Sequence, residues 1–147
     1  MKFLTLMVAM FWLPTTHAQD SEQQIHSEWV LIALDYDFYN HRCRGMSVDQ
    51  NFNKVKRLFI TKYGISPNNY IEAFLADPNQ DFFAFKEQKE REFMRQLAQK
   101  GGCQSEQARA WLKQMKKDFS QHQRQVEDSN WFPIIDRVNI TQVLGKA

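Results

Sequence analysis

Cysteine, proline and glycine are scarce: two, four and five in 147 residues. So little proline and glycine excludes collagen-like and low-complexity chains. Two cysteines exclude a disulfide-dense scaffold, and with no Cys-x-x-Cys or His-x-x-x-His spacing anywhere, neither a zinc site nor a redox pair has its usual signature. Charge of one sign is also missing. Nineteen basic residues stand against seventeen acidic ones and are interspersed with them, so no broad phosphate-binding footprint exists and no nucleic-acid partner is expected. The cluster Lys54, Lys56, Arg57, Lys62 and Tyr63, basic with an aromatic among it, reads as a solvated helix face.

Only one long apolar run occurs, at the start. Lys2 is followed by a run to Leu13 that is apolar but for Thr5, then Pro14, Thr15, Thr16, His17 and Ala18. The run is too short to span a bilayer, and small residues precede polar Gln19, so residues 1–18 read as a secretory signal peptide cleaved after Ala18. The alternatives are a buried N-terminal helix or a membrane anchor. No cysteine sits at the cleavage point to carry a lipid, and no second apolar run follows. The expected product is exported, periplasmic or extracellular, soluble and without a stable membrane span. Loss of Lys2 leaves it with a balance of +1.

What the chain does have is aromatic side chains: twelve Phe, four Trp and four Tyr, enough for one compact core. Apolar residues recur three and four apart, as on a helix face. Ile25, Trp29, Ile32, Tyr36, Tyr39 and Cys43 predict a first helix over 23–42, with Glu28, Asp35 and Arg42 together on its opposite side. Ser47 is placed to cap a second helix carrying Phe52, Val55, Phe59 and Tyr63, which Gly64 ends. Ser66 and Pro67 open a short third helix that Asp77, Pro78 and Asn79 break. A fourth runs over about 80–100. Ser105 caps a fifth, whose stripe Ala108, Trp111, Leu112, Met115, Phe119, His122 and Val126 is the cleanest in the chain. No alternating apolar pattern or hairpin signal appears before Trp131. The fold class expected is all-α: a small bundle of about five helices with one disulfide, as a domain over 19–133, and a C-terminal tail over 134–147 that the pattern assigns to no element.

Export to an oxidising compartment pairs Cys43 with Cys103 as one structural disulfide. The competing reading is a metal site in which His41 and Cys43 are completed by Cys103 or His26, but its spacing is not that of zinc. No metal and no cofactor is expected. Residues 77–88 begin like a calcium loop but carry Phe82 where Gly is needed and Gln88 where a bidentate Glu is needed, so a helix-capping turn explains them. The run Lys86 to Glu92 is charged or polar right round the helix and reads as a solvated face rather than as paired catalytic carboxylates.

Two functional readings follow. The segment 34–45 places Asp37 and His41 four apart, so that a carboxylate could orient an imidazole in a small acid/base hydrolase. No nucleophile accompanies them once Cys43 is oxidised, and a structural use of both is preferred. The favoured reading is a noncatalytic exported binding protein, of adaptor, chaperone-like or inhibitor/immunity type, whose partner is another exported or envelope protein. Its contact element is the apolar stretch that follows the last periodic residue: Trp131, Phe132, Ile134, Ile135, Val138, Ile140, Val143 and Leu144. A sequon at Asn139 to Thr141 lies within it. His122 reads as a hydrogen-bonded boundary residue, and His26 has no role assigned.

Overall fold

A computed structural model describes residues 17–135, with side chains from residue 21 onward. Five helices occur in the expected order: α1 His17–Arg44, α2 Gln50–Tyr63, α3 Pro67–Phe74, α4 Phe82–Gln99 and α5 Glu106–Asp128. No strand occurs among the described residues, so the fold class is all-α.

Three of the predicted helix starts have their cause in a single side chain. Ser66, Asp81 and Ser105 each accept the backbone N–H three residues on, satisfying a donor that the first turn leaves free. α4 starts at Phe82, two residues later than its apolar pattern suggested, because Asp81 takes the cap and Glu72 accepts the Phe82 N–H at 2.8 Å. Gln80 instead closes the turn with Asp77, so residues 77–80 are the capping turn expected of them. α2 departs from expectation. Ser47 is exposed and caps nothing, the helix starts at Gln50, and its free N–H groups are met from another helix, as described below. Gly64, at φ +69°, ends α2 in the left-handed conformation that a side chain would strain.

α1 is longer than its apolar stripe indicated and lies at the centre of the bundle. It packs most extensively on α5 and α2, and also on α4 and α3. A helix enclosed on several sides buries more than one stripe. The fully buried set is His26, Trp29, Val30, Ala33, Leu34 and Asp37, running on to Asn40, while Ile25, Ile32 and Tyr36 of the predicted stripe are only half-buried. Around Trp29 lie Phe59 of α2 and Phe119 of α5, and Tyr70 of α3 meets Phe59 edge-on at 5.2 Å. Trp111 is half-buried rather than interior. It stacks on Phe93 at 4.9 Å, with the Lys100 ammonium over its ring.

Cys43 and Cys103 form the disulfide, with Cα atoms 5.4 Å apart. It ties the end of α1 to the loop before α5 and closes a separation of 60 residues. The metal reading of these residues falls, since both thiols are used and no metal-sized group of ligands exists among the described residues.

Candidate functional site

Asp37 and His41 do not form a pair. Asp37 is 2% exposed, and its carboxylate turns to the N-terminus of α2. Oδ1 accepts the backbone N–H and the side-chain amide of Asn51 at 3.0 and 2.9 Å, and Oδ2 accepts the Phe52 N–H at 2.8 Å. This is a helix cap supplied by a neighbouring helix, with the negative group placed where the helix dipole favours it. Burial raises the Asp37 pKa, against the pull of the three donors. His41 Nε2 lies 3.0 Å from Asp49 Oδ1, at an angle that leaves both atoms without a directed hydrogen bond, while Lys86 pairs with Asp49 Oδ2 at 2.9 Å. The carboxylate that was to orient the imidazole is thus spent on two backbone donors and the Asn51 amide, and the acid/base arrangement read from the spacing does not exist.

At the other end of α1, His26 is fully buried. Its Nδ1 faces the carbonyl of Glu22 at 2.7 Å and so must donate, which leaves Nε2 to accept the Tyr63 hydroxyl at 2.6 Å. Burial lowers the His26 pKa and lifts that of Tyr63 to about 12, which suits a neutral ring and a donating phenol. Ser129 donates to Glu22 at 2.7 Å and accepts the Trp131 N–H at 3.0 Å. Ser129 and His26 make no hydrogen bond to each other, so no nucleophile and base pair is formed here. His122 is the boundary residue expected, between the Asp118 carbonyl and Glu28 at 2.7 and 2.8 Å.

This network is the seat of the C-terminal segment. Lys62 donates to the carbonyls of Val126, Glu127 and Ser129 at 2.5, 3.0 and 2.6 Å, pinning the end of α5 to α2. The next residues divide by side. Trp131 packs on His26 at 4.6 Å and Pro133 is buried, whereas Phe132 and Ile134 are 54% and 79% exposed. Phe132 meets Tyr63 edge-on at 5.3 Å. Ile60, one turn before Tyr63 on α2, is 49% exposed. Ile135 is half-buried, and Val138, Ile140, Val143 and Leu144 lie outside the described residues.

A second concave region lies between α1 and α4 and was not legible in the sequence. An open groove of about 890 Å³ is lined by Phe38, His41 and Arg42 of α1 and, on α4, by Met94, Arg95 and the charged run from Glu87. It adjoins a pocket of about 110 Å³ over Leu31, Leu34 and Phe93, with Glu92 lining both. The rim of the pocket is Asp35, Lys89 and Gln96. Asp35, expected on the solvent side of α1, is half-buried against α4 beside Lys89 and Glu92, and burial pushes its pKa up to about 6. Glu92 is held below the usual carboxylate range by hydrogen bonds from Lys89 and Gln88. The only signal for Asp35 was its place seven before Arg42 on a helix whose covered sides the pattern did not reveal.

No protein-family description, curated protein or solved structure matches this chain, so what it does has to be argued from these residues.

Proposed function

We propose that this chain is an exported, noncatalytic helical binding protein that engages another exported or envelope protein through the segment beginning at Trp131. One observation carries the reading: the segment is anchored on one side and apolar on the other. Trp131 and Pro133 hold it to the bundle, while Phe132 and Ile134 are exposed, Phe132 lying edge-on to Tyr63. Large apolar side chains on an anchored surface element are costly in water, and a protein partner that covers them gains that area. Export rests on the leader-like residues 1–18 and on a cysteine pair joined as a disulfide. Among the described residues no helix is long and apolar enough to cross a membrane.

A photo-crosslinking residue placed at position 132 or 134 in the native host tests the reading. The expected result is one adduct of discrete mass from both positions, none from a control at exposed Lys113, and an isolated protein that begins at Gln19. Adducts that are absent, or equal at the control, overturn the binding surface; a protein retaining Phe11 and Trp12 overturns the export.

A further inference from the structure

His26 is fully buried, and one of the rings that cover it belongs to the C-terminal segment. Phe59 and Tyr63, with ring centroids 6.3 and 5.7 Å away, are fixed in α2, whereas Trp131, at 4.6 Å, lies beyond the last helix. Lys62 grips the chain only as far as the Ser129 carbonyl. Past that point Trp131 is held by one hydrogen bond, from its N–H to Ser129 Oγ, and by its contacts with His26 and Phe74. It can leave without unwinding a helix.

The seat fits only a neutral imidazole. Nδ1 donates to the Glu22 carbonyl, so Nε2 accepts the Tyr63 hydroxyl. A second ring proton turns Nε2 into a donor. The Tyr63 oxygen must then accept, and its own proton loses its acceptor, since that hydroxyl has no other hydrogen-bond partner among the described residues. A buried charge and a buried donor without an acceptor are both costly, and both are relieved when water reaches the ring. The charged and titratable groups around His26 are Glu22 of α1, Lys62 and Tyr63 of α2 and, beside Tyr63, Tyr70 of α3. From the C-terminal segment, Ser129 holds the Glu22 carboxylate. Glu22 favours a charged ring and Lys62 opposes it; burial is the largest effect and holds His26 below its ordinary pKa.

We infer that His26 is an acid-operated latch for the segment beyond Ser129: the neutral ring seats Trp131 and so holds Phe132 and Ile134 in place, and the protonated ring lets the segment go. That this gates capture of a partner rests on the binding role proposed above. Once Trp131 leaves, the ring meets water and regains its ordinary pKa of about 6.5, above that of the covered ring. The released state therefore holds the proton more tightly. The latch has its full strength above about pH 6.5 and weakens as pH falls from there to the lowered pKa of the covered ring, by up to about ten-fold per pH unit for one proton.

Amide hydrogen exchange of the full disulfide-bonded chain, corrected for intrinsic rates, tests the latch near pH 7 and near pH 5. The Trp131 amide should be less protected than the core amides of Val30 and Leu34 at both, which marks a local opening, and should lose about five- to thirty-fold in protection on acidification. In the unmodified chain the His26 ring-proton shift should titrate below pH 6.5 in step with that loss. His26→Gln keeps an acceptor for the Tyr63 hydroxyl and cannot take up the proton, so it should remove the pH dependence, whereas Glu22→Gln should keep it. Crosslinking from position 132 should fall in acid with the native chain and not with His26→Gln. Trp131 protection that is unchanged by acid, that falls equally in His26→Gln, that is lost only together with the core, or whose loss disappears in Glu22→Gln overturns the latch. Acid release of Trp131 with no adduct from position 132 even near pH 7 supports the latch and overturns the binding surface.

Discussion

Two aspartates two residues apart show how little a residue type says about its role. Asp37 meets three N–H donors, and Asp35 meets none. Replacing Asp37 with Ala strips the cap from α2 and leaves buried donors unpaired, at a cost of about 2–4 kcal/mol in urea unfolding. A cost below about 1 kcal/mol would show the cap to be dispensable. Asp35 predicts the opposite sign. Its pKa is raised from 3.8 to about 6, so the folded protein holds that proton more tightly than the unfolded chain. Stability therefore falls as pH rises between those values and stays reduced above about 6. Asp35→Asn should raise stability near pH 7 by up to about 3 kcal/mol and change little near pH 4. Wild type and variant are compared at each pH, so His26, whose lowered pKa makes acid destabilising, cancels. Equal gains at both pH values would mean that the carboxyl is not desolvated. The role of neither aspartate was legible in sequence, because each is set by a helix distant along the chain.

At the scale of elements, the capping serines and Gly64 were readable because a cap acts within three residues of itself. The start of α2 was not, since its cap comes from α1 and Ser47 was the nearer candidate. Lys62, read as a solvated basic residue, instead joins α2 to the last carbonyls of α5. Lys62→Met keeps the length of the stem and removes the donors, and should cost about 1–3 kcal/mol while increasing amide exchange at residues 127–131. Unchanged exchange there would show that Trp131 and Pro133 hold the segment unaided. Reducing Cys43–Cys103 frees a separation of 60 residues in the unfolded chain, worth roughly 4 kcal/mol, and should lower Tm on the order of 10 °C. A Tm unchanged by reduction would place the stabilisation elsewhere.

For the molecule as a whole, the boundary between bundle and tail is testable by truncation. Ending the chain at Ile135 keeps Ser129, Trp131 and Pro133 in place and should leave helix content and Tm nearly unchanged; ending it at Ser129 uncovers His26 and Tyr63 and should lower both stability and cooperativity. Equal loss in both would make residues 136–147 part of the core. The sequence by itself determined the class, the five helices, most of their ends and the cysteine pair, because periodicity, capping and the presence of two cysteines with no other thiol to choose are properties of local chemistry and composition. Tertiary structure alone decided which helix is central, and with it every assignment of a polar side chain on α1. A helix packed on four others keeps only a narrow solvent face, so the side that carried Glu28, Asp35 and Arg42 became partly enclosed, and a groove formed where α1 and α4 part. Burial depends on what the rest of the chain places nearby, and no spacing within one helix records that.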